Sequence, residues 1–213
     1  PLTEPDFCRS RDRAITVAPG KAIGNGRLGR AAGDSDAFRV SPAYDRAVLS
    51  LAEGLLADMK LGRGRATDLL VVGLSATDYV GHTFGPGGNE MCLQLAGLDR
   101  ALGAFFETLD RSGVDYAVML TADHGGLDMP ERNRDHAAPT AQRIDAAIRP
   151  AELGEALKAR LGLKLPGPLL YGDPGSGDIW IERSLGAGER ARVMKELVSS
   201  LRAHPQVADV FTQ

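Results

Sequence analysis

Two short strings in the chain place a carboxylate next to an imidazole. Thr77-Asp78-Tyr79-Val80-Gly81-His82 sets Asp78 four residues before His82, and Thr121-Ala122-Asp123-His124-Gly125-Gly126 sets Asp123 directly beside His124. The whole sequence holds only four histidines, so two of them falling in such strings is selective. Carboxylate oxygen with neutral imidazole nitrogen is a donor set that suits zinc, with manganese or calcium favoured as the oxygen content rises. Either string alone recurs by chance. Taken together, each just after a buried-strand pattern and beside glycines that let a backbone turn tightly near a ligand, they predict a two-metal site. The other histidines read as structural: His136 in Arg134-Asp135-His136 is expected to be a solvated loop residue, and His204, before Pro205, a cation near a helix C-terminus.

Something must bring the two strings together, and the pattern around them says what. Residues 68–75 form a short continuous apolar run, as expected of a strand buried on both faces, and 114–121 form a second. Between them a glycine-rich loop leads into a helical stripe of Met91, Leu95, Leu98, Leu102, Phe105, Phe106 and Leu109 that ends at Ser112-Gly113. Strand, helix, strand predicts a right-handed βαβ unit in a parallel sheet. The carboxyl ends of such strands converge on one crevice, so loops carrying Asp78/His82 and Asp123/His124 are expected to face the same volume. Upstream, Ser41-Pro42 supplies an N-cap and a proline in the first turn, and Val48, Leu51, Leu55, Leu56 and Met59 predict a helix over 42–60 stopped by Gly62. Residues 1–40, with Gly20, Gly24, Gly26, Gly29 and Gly33, read as irregular. Past Pro139 the pattern predicts helices over 150–161 and 188–203, strands at 178–182 and at the end of the chain, and a Gly/Pro-rich stretch around Gly172-Asp173-Pro174-Gly175. The fold class is therefore α/β, a mostly parallel sheet flanked by helices. Its parts are an irregular segment 1–40, a metal-binding α/β core 41–145, and a smaller α+β lobe or insertion over 146–213.

Composition narrows the function classes. At 213 residues, 43% apolar, 25% charged and a net charge of −3, the chain has ordinary globular composition and no basic field, which disfavours nucleic-acid binding. No run is apolar enough for a membrane helix, and the N-terminus has no signal-peptide core. Cys8 and Cys92 do not form a Cys-x-x-Cys motif, which argues against a zinc knuckle or a thioredoxin-type dithiol. Free or half-buried thiols are the ordinary expectation for them, a disulfide the alternative. The chain opens on Pro1-Leu2-Thr3 and closes at Gln213 just after an apolar run, so both ends are expected to be internal to something longer.

The string Gly73-Leu74-Ser75-Ala76-Thr77-Asp78-Tyr79-Val80-Gly81-His82-Thr83-Phe84-Gly85-Pro86, followed by Leu120-Thr121-Ala122-Asp123-His124-Gly125, resembles the alkaline phosphatase superfamily. Within it, the match is to the type I phosphodiesterase/nucleotide pyrophosphatase-like branch of bacterial alkaline phosphatases. It is best over about 41–145, where two separated strings agree in order and spacing, and thin at both ends. The resemblance implies an alkaline phosphatase-like fold and two zinc ions, one held by Asp78 and His82, the other by Asp123 and His124. It places the nucleophilic threonine and a further aspartate before Pro1 and a last histidine after Gln213. Thr77, Thr83 and Thr121 are not in the nucleophile's context, so no catalytic nucleophile is expected within the chain. Ser10-Arg11-Asp12-Arg13 is similar to the family's Ser-x-Lys-Asp-Arg stretch, which implies that Arg11 and Arg13 hold the substrate phosphate; a solvated charged turn is the alternative. Where the family has lysine here stands Arg11, whose guanidinium grips phosphate bidentately. The resemblance implies hydrolysis of phosphate monoesters and a periplasmic or secreted location. A phosphodiesterase or nucleotide pyrophosphatase on the same ligands is the nearest rival, and a non-catalytic metal-binding piece is another.

Overall fold

The computed structural model describes residues 4–29, 31–136, 138–173 and 176–212. Pro1-Leu2-Thr3, Pro174-Gly175 and Gln213, which entered the sequence reading, lie outside the described residues. The chain divides into two compact units, 1–141 and 142–213. Each is built around its own interior.

In the first unit the opening segment is less irregular than its glycines suggest. Strands β1 (Ile15–Ala18) and β2 (Lys21–Ile23) pair antiparallel around Pro19-Gly20, with Gly20 at φ 71° allowing the tight reversal. A short helix α1 (Ser35–Arg39) follows, its N-terminus capped by Asp34, whose carboxylate accepts from Ala37 N at 2.9 Å. Helix α2 (Pro42–Asp58) begins as expected, with Pro42 in its first turn, but the Ser41 hydroxyl donates to Phe38 O at 2.7 Å instead of capping. It stops short of residue 60 because Lys60 and Gly62 turn into the left-handed region.

The buried face of α2 is Asp45, Leu49 and Ala52, with Leu56 half-buried, so Leu51 and Met59 of the expected stripe point to solvent. That face packs on helix α4 (Asn89–Ser112) through Phe105, Leu102 and Phe106. The left-handed Gly113 ends α4 where Ser112-Gly113 predicts. Leu70, Val72 and Leu74 pack against the same cluster, while Leu69 and Val71 are 86% and 81% exposed. This period of two is that of an extended segment with one face covered.

The expected parallel sheet is not formed among the described residues. Segments 68–75 and 114–121 carry no ladder, and the only sheets among the described residues are two antiparallel ribbons, β1–β2 here and another in the second unit. A strand exists only through its neighbour's hydrogen bonds, and neither segment makes ladder bonds to another described segment. The loop read after residue 75 is in fact helix α3 (Ala76–Phe84). A last helix, α5 (Pro130–His136), follows the Asp123-His124 loop. Cys8 and Cys92 are joined as a disulfide, against the ordinary expectation of free thiols, because Cys8 is brought fully buried onto α4.

The second unit holds helix α6 (Pro150–Leu161), a ribbon of β3 (Leu170–Tyr171) with β4 (Trp180–Ile181), and helix α7 (Ala187–Arg202). Leu153 and Leu157 of α6, Leu170 and Ile181 of the ribbon, and Val193, Leu197 and Leu201 of α7 form one apolar cluster. The strand expected at 178–182 shrinks to two paired residues, and the one expected at the chain's end is unpaired, although Val207 and Val210 still pack on the cluster. No helix among the described residues is long and apolar enough to cross a membrane.

Candidate metal centre

Asp78 and His82 sit one turn apart on the same face of α3, because i and i+4 align on a helix. Asp78 Oδ1 lies 3.4 Å from His82 Nε2 and 3.6 Å from His124 Nε2, and His124 Nε2 lies 3.6 Å from Asp123 Oδ2. All four sequence-predicted residues are thus brought to one place, with Asp78 between the two imidazoles. Bonds of about 2.05 Å in a tetrahedron put neighbouring ligand atoms about 3.3 Å apart, so these spacings fit pairs of donors on zinc-like ions. The donor chemistry fits, but coordination is partial: among the described residues no three His, Cys, Asp or Glu side chains form a group able to hold an ion alone.

The His124 ring is oriented by its own loop. Its Nδ1 lies 2.7 Å from Gly125 O, which leaves Nε2 as the nitrogen facing Asp78 and Asp123. That hydrogen bond, with the Asp123 and Asp78 carboxylates adding to it, raises the His124 pKa above the usual imidazole value. Asp123 Oδ1 also accepts from His124 N at 3.0 Å, tying the dipeptide into a fixed turn.

α3 is held at its first turn by a residue that sequence reasoning missed. Asp45 is fully buried, accepts from Ala76 N at 3.0 Å and from Gln94 Nε2 at 2.9 Å, and so knots α2, α3 and α4 together. Burial raises its pKa, with the two hydrogen bonds opposing. The signal available in the sequence was an acidic residue at the apolar spacing of α2, four before Leu49.

The candidate phosphate ligands make contacts elsewhere in the first unit. Arg13 Nη2 donates to both oxygens of Glu4 at 2.9 and 3.0 Å. Arg11 is exposed and lines a cavity of about 260 Å³ with Asp12, Arg132 and His136. His136 is not merely solvated: it closes α5 and its Nε2 is 2.8 Å from Asp12 Oδ2. His204 follows α7 as expected, 3.5 Å from Asp145 in the second unit.

The paired Asp/His donors thus lie one turn apart on α3 and side by side in the loop before α5. The family model for type I phosphodiesterase / nucleotide pyrophosphatase matches residues 30–148, and the chain belongs to that family. Among individual proteins, it is 48% identical over 210 residues to alkaline phosphatase PhoK of a Sphingomonas species, covering 98% of this chain and 37% of the relative. It is 44% identical over 208 residues to alkaline phosphatase PhoD of Zymomonas mobilis, covering 98% and 36%. A crystal structure of a mutant of alkaline phosphatase PafA superposes with a TM-score of 0.65 at 25% identity, over 79% of this chain and 32% of that one. The chain therefore spans a little over a third of the length of the curated relatives it matches.

Proposed function

We propose that this chain supplies part of the active site of an alkaline phosphatase-like enzyme that hydrolyses phosphate monoesters. Asp78 and His82 would hold one zinc ion and Asp123 and His124 the other, with other divalent ions as substitutes. The observation that carries this reading is the Asp78 carboxylate lying 3.4 and 3.6 Å from two imidazoles contributed by different elements. The relatives' names and the family match support the reaction class.

Cations held by these residues would supply Lewis acidity that neutralises a phosphate dianion. The chain's own residues do the rest. The Asp78 and Asp123 carboxylates provide the negative charge that retains the cations, and the Gly125 carbonyl keeps His124 in the tautomer that presents Nε2. Arg11 and Arg13 bind the equatorial phosphate oxygens, Arg13 by exchanging the Glu4 carboxylate for phosphate. The nucleophile is not assigned to the threonines present; the Thr83 hydroxyl, for one, donates to Tyr79 O at 2.7 Å. In this reading residues 68–75 and 114–121, which carry no ladder here, would pair as strands of a mostly parallel sheet in the intact enzyme. The Cys8–Cys92 disulfide supports a periplasmic or secreted location, since such bonds persist in oxidising compartments.

Asp123→Ala or His124→Ala in the intact polypeptide should abolish turnover of a chromogenic phosphate monoester and lower the zinc content. Undiminished turnover would remove the assignment. The family model's own description favours a second reading, a phosphodiesterase or nucleotide pyrophosphatase on the same donors, and relative rates on a monoester and a diester decide between them. Bound zinc with no turnover of either ester would mark the chain as a metal-binding module.

A further inference from the structure

Arg132 is a charged side chain with only 6% of its surface exposed, an expensive place for a guanidinium unless every contact is used. Its contacts reach three segments that carry candidate site residues. Nη1 forms an ion pair with Asp128, four residues after His124 on the loop that leads into α5. Nη2 donates to Phe84 O at 3.3 Å, at the last turn of α3, whose face carries Asp78 and His82. Nε makes no hydrogen bond, and the carboxylate facing it is that of Asp12, whose Oδ2 lies at an ion-pair distance of 3.4 Å; Asp12 stands between Arg11 and Arg13.

The surroundings are shaped to admit this side chain. At Gly88 a Cβ would come 2.8 Å from Arg132 Nη2, and at Gly87 it would collide with the Asp128 carboxylate, so the glycine run after α3 leaves the room the guanidinium occupies. Asp12 is held from other sides too: its carbonyl accepts from Asn89 N at 2.9 Å, and its carboxylate meets His136 Nε2 at 2.8 Å. A planar guanidinium with donors fixed in a fork suits a three-way junction that an ammonium on a flexible stem cannot reproduce.

We propose that Arg132 is a positioning residue that fixes the Arg11–Asp12–Arg13 loop relative to the two Asp/His segments, and thereby sets the affinity of the site for phosphate. The inference rests on the phosphatase reading above, in which Arg11 and Arg13 grip the substrate. The alignment of two guanidiniums on one phosphate depends on where their loop sits, and Asp12 is the part of that loop Arg132 holds.

The test uses the intact polypeptide loaded with zinc and reads the inhibition constant of inorganic phosphate, KM and kcat for a chromogenic monoester, zinc content and melting temperature. Asp12→Asn removes the charge that both Arg132 Nε and His136 Nε2 face, and His136→Ala, which removes the second contact alone, should leave phosphate inhibition unchanged. Asp12→Asn should weaken phosphate inhibition and raise KM by about tenfold or more, the scale of one lost charge-assisted contact, with zinc content and melting temperature unchanged. Arg132→Met should weaken phosphate inhibition further, and Arg132→Lys should recover only part of the loss; if Arg132→Met does not fold, Asp12→Asn and Arg132→Lys carry the test. An active wild type whose Asp12→Asn and Arg132→Lys variants keep its phosphate inhibition constant would overturn the positioning role alone. A wild type that neither hydrolyses the ester nor binds phosphate would overturn the phosphatase reading and this role with it.

Discussion

The two units differ in what they bury. The second closes an apolar core of leucine, isoleucine and valine over a two-stranded ribbon and two helices. The first has a small apolar cluster at Leu49, Ala52 and Phe105, and much of the rest of its interior is polar: Asp45, Asn89, Glu90, Gln94, Glu131 and Arg132 are all buried. It also leaves Leu69, Met119, Leu120 and Leu127 from 79% to 95% exposed. Burying polar groups costs free energy unless each finds a partner, so the first unit's interior serves to place loops and the second's to hold itself together. Asp45 and Arg132 pin segments that carry the candidate site, whereas Glu90 holds the Asn25-Gly26 turn.

The largest effect that would sharpen this contrast is loss of the Cys8–Cys92 bond, which closes a loop across 84 residues of separation. Replacing both cysteines by serine should destabilise the first unit by about 4 kcal/mol, seen as an earlier loss of helical signal in urea. Next comes Leu157→Ala in the second unit, where a fully buried leucine leaves a cavity costing about 3 kcal/mol. Trp180, the single tryptophan, reports that transition by fluorescence. Glu90→Ala should cost about 2 kcal/mol, because Glu90 accepts from Asn25 N and Gly26 N, each at 2.7 Å, and truncation strands both donors.

Asp45 tests the polar interior through pH. Burial raises its folded pKa above the ordinary 3.8, so its stabilising contribution is complete below that value and is lost as pH rises through the raised folded value. Asp45→Asn should flatten this decline in denaturation midpoints measured from about pH 3 to 7; an unchanged slope would show that other groups cause it. The smallest effect belongs to the second unit's surface. There the Tyr171 hydroxyl donates to Glu182 at 2.6 Å, and this, with the Ser184 backbone N–H, holds the carboxyl down at about 2. Tyr171→Phe should move Glu182 back toward 4.5, as read by NMR titration.

How far each feature could be read from the sequence depends on the range of the forces behind it. Helix α6 and the left-handed stop at Gly113 appear where expected, because apolar period and end signals act within a few residues. The apolar runs 68–75 and 114–121 were equally plain, yet they form no ladder, since a strand requires a neighbour that no local pattern supplies. Helix α3 was hidden by the glycines after it, although the four-residue spacing of Asp78 and His82 already matched a helical face. The disulfide could not be read from two isolated cysteines, because pairing depends on Cys8 being folded onto α4.

By itself, the sequence determined the chemistry on offer: which carboxylates and imidazoles stand beside glycine-rich turns, and which helices flank them. Only the tertiary structure decided that Asp78 lies between His82 and His124, that Asp45 anchors the first turn of α3, and that Arg132 joins three segments distant along the chain. Donor type and short-range spacing are properties of neighbouring residues. Convergence is a property of packing, settled by contacts between segments whose separation along the chain says nothing about their distance in space.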